Sequence, residues 1–283
     1  MKNGSSYGLR WQHEELPWDA IDRDVMADDR LLFYLLATAS FIEITTDLYT
    51  RNLIEYYAGN DEVQDWLAEG WEPEELQHGK ALRRYVQTVW PEFNWEGTYR
   101  RFFDEYQTCC KVELLDPTPA LEMARRCIVE TGTCSYYTMI GSYAPCRVLK
   151  ELTDHIRKDE AGHYHHFHDH FLRYREDERP GRGAILKALV GRIREIDGED
   201  GFIAFKYVWQ ADHPGGTFHK RYYTRMTRLI RRMAVDHYPF RIAAHMMSQP
   251  LGFRPRTQSW VDAGLSCAAR FFSRLTGTTR PLH

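Results

Sequence analysis

Two glutamates stand where a helical core would place apolar side chains: Glu43 within Phe41-Ile42-Glu43-Ile44, and Glu130 within Cys127-Ile128-Val129-Glu130. A carboxylate turned into such a core costs several kcal/mol unless it is paired, protonated or coordinated, so each demands a partner. Two further segments, Glu75-Leu76-Gln77-His78 and Glu160-Ala161-Gly162-His163, offer a carboxylate and an imidazole at i and i+3. That spacing projects both groups from one helix face, about one turn apart.

Singly, a Glu-x-x-His is a weak signal. One buried Glu from each of two helices plus one Glu-x-x-His from each of two others is the ligand inventory of a di-iron or di-manganese carboxylate bundle. Four carboxylates carry −4 and two divalent ions +4, so with neutral histidines the buried cluster is neutral overall. Carboxylate and imidazole ligands suit iron or manganese, and no cysteine is positioned to favour zinc. The competing reading is four coincidental helical acids stabilised by arginine neighbours.

Glycine and proline cluster between long segments whose apolar residues recur at three and four, which predicts an all-α chain. Helices are expected over Met26 to Tyr57, Pro73 to Trp90, Pro119 to Tyr143 and Arg147 to Arg175. A connection over 92–116 could itself be helical from Tyr99 to Lys111. Helices at Ala184 to Ile196, Phe218 to Met247 and Gln258 to Leu275 follow. Glu43 and Glu130 stand 87 residues apart, Glu75 and Glu160 85, so two similarly spaced hairpins each give Glu and then Glu-x-x-His. The gap from His78 to Glu130 exceeds those within the pairs, as one long crossover requires. The expected fold is a ferritin-like four-helix bundle with one long crossover and additional C-terminal helices. As a single domain it would comprise an N-terminal extension (1–25), a di-metal bundle (26–175) and a basic helical extension (176–283).

The net charge of −3 over 283 residues hides an asymmetry. Residues 201–283 carry 13 Lys/Arg against Asp212, Asp236 and Asp262, which leaves −13 on residues 1–200. Six cysteines without a C-x-x-C pair read as reduced thiols, and the charged start, with Pro17, does not read as a signal peptide. The longest apolar stretch, Leu31 to Ile44, contains Glu43 and falls short of the ~20 residues a bilayer needs. A cytoplasmic protein without a membrane partner is the expectation.

At the ligand motifs the sequence resembles the soluble acyl-[acyl carrier protein] desaturases of the ferritin-like superfamily. Trp71-Glu72-Pro73-Glu74-Glu75-Leu76-Gln77-His78-Gly79 is similar to that family's W-x-x-E-E-N-R-H-G, and Asp159-Glu160-Ala161-Gly162-His163 to its D-E-K-R-H. Glu43 and Tyr49 share the spacing of its first ligand and a following Tyr, and Glu130-x-x-Thr133 matches its Glu-x-x-Thr. The resemblance covers roughly residues 25–175. Leu76-Gln77 and Ala161-Gly162 depart from it, since family members usually have Asn-Arg and Lys-Arg there. It implies two iron ions per chain, with manganese as the alternative, held by Glu43, Glu75, His78, Glu130, Glu160 and His163. It also implies O2 as co-substrate, a ferredoxin-type electron donor, and conversion of a carrier-bound acyl chain to an alkene.

Thr133 could hydrogen-bond bound oxygen, or simply bond back to its own helix. Asp159 could accept from a ligand histidine or take part in electron delivery, or be a solvated helix residue. Trp71 reads as core. His165, His166, His168 and His170 beside His163 suggest a second metal site only weakly. Lys220, Arg221, Arg228, Arg231 and Arg232 share a helical stripe that suits an acidic acyl carrier protein better than nucleic acid, with intramolecular neutralisation as the bland reading. A homodimer is compatible with all of this. The competing functions are a di-iron oxygenase or hydroxylase acting on another metabolite, and ferritin-like iron binding without oxidase chemistry.

Overall fold

The computed structural model describes residues 7–110, 115–196 and 200–277. Among the described residues every helical or extended element is helical, and no strand occurs. Two 3-10 turns, His13–Glu15 and Trp18–Ala20, precede α1 (Arg23–Ala27), α2 (Arg30–Glu43), α3 (Thr46–Tyr56) and α4 (Asp61–Trp66). Then come α5 (Glu72–Val89), α6 (Trp95–Tyr106), α7 (Pro119–Tyr143), α8 (Arg147–Glu178) and α9 (Arg182–Ile196). The chain continues with α10 (Asp200–Asp212), α11 (Lys220–His237), α12 (Phe240–Ser248) and α13 (Pro255–Thr276).

The single helix expected from Met26 to Tyr57 is three. Asp22 and Asp29 accept the Val25 and Leu32 N–H groups and so start α1 and α2 separately. The break after α2 falls at Ile44-Thr45, where the Thr45 hydroxyl donates to the Phe41 carbonyl at 2.6 Å. Pro73 stands in the first turn of α5, as the sequence predicts, although α5 follows on from α4 without a gap. A π turn, Leu67–Trp71, joins α4 to α5, with the Glu72 N–H reaching back to the Leu67 carbonyl. The wider turn accommodates a proline that has no N–H to give.

α7 spans Pro119 to Tyr143 as the sequence predicts, capped by the Thr118 side chain, while α8 runs three residues past Arg175 and ends at Arg179 in a left-handed conformation, φ 49°. The expected helix over Phe218 to Met247 divides at Tyr238-Pro239 into α11 and α12, and α4 and α10 were not anticipated. The connection is helical over Trp95–Tyr106; Lys111 lies outside the described residues.

α7 packs along α8, and α2 along α5. α10 covers α2 and α6; α9, α11 and α12 lie on α7; α13 rests on α11 and α12. Two apolar clusters form the interior. The α2–α3 run gives residues 32–41 to one and Leu53 and Tyr57 to the other; α5 gives 81–86 to the first and the turn before it Leu67 and Trp71 to the second. α8 divides likewise, 148–156 against 164–171. Glu43, Glu75, His78, Glu160 and His163 fall in the gaps between these runs.

The run Arg30–Tyr56, counted across its break, is by length and composition long enough to cross a membrane, unlike the shorter stretch Leu31 to Ile44 considered alone. Of its most apolar window 67% is buried inside the protein, against α5, α6 and α10.

Gly79, which follows His78, lets α5 press against the α2–α3 break. A Cβ there would lie 2.5 Å from the Ile44 backbone nitrogen, and backbone cannot swing aside. Gly79→Ala should therefore destabilise the protein by about 1–3 kcal/mol or more through overpacking. A chemical-denaturation midpoint unchanged from wild type would refute this close approach.

Candidate metal centre

Four helices deliver the acids and histidines to one place. Two groups form: Glu43, Glu75, His78 and Glu160 in one, Glu75, Glu130, Glu160 and His163 in the other. Within each, one N or O atom per residue lies within 4.8 Å of the others, and all six residues are buried. Glu75 and Glu160 belong to both groups, so the two places that could hold a cation are adjacent and share two carboxylates. All six positions read from the sequence are in it.

The ring nitrogens divide their work. His78 Nδ1 faces inward, 3.3 Å from Glu160 Oε1 and 3.6 Å from Glu75 Oε2, and His163 Nδ1 lies 3.2 Å from Glu75 Oε1 and 3.5 Å from Glu130 Oε2. Neither makes a hydrogen bond, and the buried Glu130 Oε1 and Glu160 Oε1 also lack partners. Four orphaned polar atoms converging in a desolvated pocket fit a metal, because unsatisfied groups there are otherwise costly. These clusters could hold metal ions.

The other nitrogens face outward and are tied. His78 Nε2 donates to Asp159 Oδ2 at 3.1 Å, and His163 Nε2 to Glu74 Oε2 at 2.7 Å. Each acid immediately precedes a ligand glutamate on one helix and holds the histidine of the other. Asp159 is thus a buried acceptor and not a solvated helix residue; it also accepts from Trp11 Nε1 at 2.6 Å. Glu74 was not singled out in the sequence, where it reads as one of several acids in a helix's first turn.

Arg10 Nε lies between these two acids, 3.7 Å from Glu74 Oε1 and 3.8 Å from Asp159 Oδ1. Gly162 makes room for it: a Cβ at that position would meet Arg10 Nη2 at 2.6 Å. A cavity of about 320 Å³ lined by Tyr7, Arg10, Trp66, Glu74, Gly162 and His166 opens beside it.

Thr133 bonds back to its own helix and also reaches an acceptor the sequence did not indicate. Its hydroxyl donates to Glu160 Oε2 at 2.6 Å and also lies within reach of the Val129 and Glu130 carbonyls of its own helix. Tyr137, unremarked in the sequence, donates to Glu43. Tyr49 points elsewhere and donates to Asp200 at 3.3 Å. Trp71 is buried in the second apolar cluster.

Among the described residues no other group of metal-ligating side chains converges. His166 stacks on Trp66 with centroids 3.7 Å apart, and His168 stacks on Tyr164. Burial, with His170 beside it, pushes His166 down to about 3, so it stays neutral. On α11, Lys220, Arg221, Arg228 and Arg232 are exposed, and Arg231 is half-buried with its guanidinium over the Phe272 ring. Among the described residues none of these five forms an ion pair.

Burial, reinforced by Glu75 and Glu160, pushes the Glu43 carboxyl well above its ordinary range, and burial does the same to Glu130. His78 and His163 resist the lowering effect of burial because carboxylates surround them, and both are held well above the usual imidazole value. Glu75 and Glu160, against the same desolvation, are held down by the facing His78 and His163 imidazoles. Without cations, protons must supply the balancing charge.

No family model matches the chain, and no curated protein or solved structure matches it.

The raised groups make metal-free stability fall with rising pH. Their contribution is full below the ordinary carboxyl range for Glu43 and Glu130 and the ordinary imidazole range for His78 and His163, and is lost as pH rises from there through their raised folded-state values. Thermal unfolding of chelated protein should give a lower Tm at about pH 8.5 than at about pH 6, and loading with divalent iron or manganese should remove the loss. An unchanged or higher Tm at the higher pH would contradict this. Glu74→Gln and Asp159→Asn should each weaken metal affinity about 10–100-fold in competition titrations while the fold is retained.

Proposed function

We propose that the protein is a ferritin-like, O2-dependent di-iron oxidoreductase that desaturates an acyl chain carried on an acyl carrier protein. The observation that carries it is the pair of four-residue groups overlapping in Glu75 and Glu160. In this reading Glu43, Glu75, His78 and Glu160 would hold one ion, and Glu75, Glu130, Glu160 and His163 the other. Bound there, iron would supply the O2 activation needed to remove hydrogen from an unactivated carbon. Manganese satisfies the same donor set.

The protein's own contributions follow from its geometry. Burial of His78, Glu130, Glu160 and His163 keeps water from the reacting centre. Asp159 and Glu74 fix the imidazole orientation and keep Nδ1 free for the ion. Thr133 orients Glu160 with its one hydroxyl hydrogen, which in the proposal would turn instead to the oxygen co-substrate. The overall step balances when two hydrogens leave adjacent carbons of the chain and an external donor of the ferredoxin class supplies two electrons. With two protons from solvent, one O2 becomes two waters.

The exposed cations Lys220, Arg221, Arg228 and Arg232, with Arg231 beside them, support encounter with an acidic carrier protein. Protein reconstituted with iron, given a panel of acyl-carrier thioesters, O2 and a reducing system, should yield product two mass units lighter. A gain of sixteen would make the enzyme a hydroxylase instead, and iron uptake without turnover would make it an iron-binding protein. Glu75→Ala and His163→Ala should abolish turnover; full activity in either would overturn the site. The double reversal K220E/R228E should slow carrier association roughly tenfold at low salt, the difference shrinking towards ~0.5 M.

A further inference from the structure

We propose that α13, with the cationic face of α11 beside it, is a peripheral docking surface for an anionic lipid bilayer. This rests on α13 and not on the metal centre. α13 is packed inside out: its buried residues are Asp262 and Ser273, while Trp260 is 80%, Phe271 64% and Leu275 68% exposed. Leu265 and Phe272 are exposed as well. Trp260, Gly264, Ala268, Phe271 and Leu275 recur at steps of four and three, which puts them on one face of the helix.

The inward face is held by polar bonds. Asp262 accepts from Ser248 Oγ at 2.8 Å and Gln258 Nε2 at 2.7 Å, and lies 2.8 Å from His245 Nδ1. Arg270 donates to the Val235 carbonyl of α11. The helix is therefore fixed in this orientation, and its apolar ridge is presented outward. At about 1.5 Å per residue the ridge from Trp260 to Leu275 is roughly 22 Å long. So continuous an exposed stripe marks an interaction site.

Charge selects the occupant. From Lys220 to Thr276 the chain carries eleven Lys/Arg against Asp236 and the buried Asp262. Arg256 and Arg274 are exposed on α13 itself, and Arg231 stands over the Phe272 ring at 5.2 Å. An outward Trp, Phe and Leu ridge rimmed by arginine is the composition of a helix that lies in the plane of an anionic membrane surface. A purely electrostatic encounter with an acidic protein needs α11 and leaves the ridge unexplained. A second copy docking on the same face across a two-fold would set these arginines against their own counterparts. The surface departs from the expectation of no membrane partner.

Cosedimentation of the metal-loaded full chain with sucrose-loaded vesicles tests this. It should bind vesicles of phosphatidylcholine with about one third phosphatidylglycerol, bind pure phosphatidylcholine at least about tenfold more weakly, and be released by ~0.5 M salt. W260S/F271S removes only exposed side chains, so its folding should be unimpaired, and it should partition at least about tenfold less. R256Q/R274Q should weaken binding to the anionic vesicles and leave any residual binding to the neutral ones unchanged. No binding to anionic vesicles by the wild type overturns the proposal. So does a wild-type dimer that W260S/F271S dissolves while vesicles remain unbound, or loss in that variant of carrier-protein binding alone.

Discussion

The structure depends on one electrostatic demand: four carboxylates brought out of water together require positive charge beside them. Isolated, each would be protonated or would unfold its surroundings, because desolvating an anion costs far more than a helix of this size returns. Two histidines answer part of the demand in the metal-free protein, and they answer it only when protonated. Cations do so without that condition. The packing respects the requirement, since the acids occupy the gaps between two apolar clusters on α5, α8 and the α2–α3 run.

The two halves of the site are not independent. Each candidate ion position takes residues from both hairpins, Glu160 completing the group around His78 and Glu75 the group around His163. The outer bonds cross in the same way, Asp159 holding His78 and Glu74 holding His163. Neither hairpin alone offers a complete site or a correctly turned imidazole. Any metal held there would be coupled to docking of the hairpins, and part of its binding free energy would appear as stability of the fold.

What the sequence disclosed follows from the range of each signal. The six inward residues were legible because their clues are local: an acid in an apolar turn, and a carboxylate and imidazole one turn apart. Glu74 was not, since beside Glu72 and Glu75 it looks like an ordinary first-turn acid, and its role depends on a histidine 89 residues away. Arg10 and Trp11 were invisible for the same reason; Trp11 meets Asp159 across 148 residues. The break after Glu43 escaped notice because Thr45 and Thr46 lower helix propensity only slightly. Gly79 packs against the backbone at that break, a contact between residues far apart in the chain. For α13, periodicity gave the helix without its orientation, which follows from hydrogen bonds made by Asp262 to α12.

The uneven charge of the chain resolves in the same physical terms. Part of the acidity of the first 200 residues is turned inward, where Glu43, Glu75, Glu130 and Glu160 meet and Glu74 and Asp159 back the histidines. Such acids cannot neutralise a distant surface. Glu122, too, is consumed inside, paired with Arg126 at 2.7 Å. The cations of α11 are thus left facing solvent beside a ridge of apolar side chains. A low net charge arises here from two opposed regions, one an acidic cluster closed inside the bundle that could hold cations, the other a basic surface facing solvent.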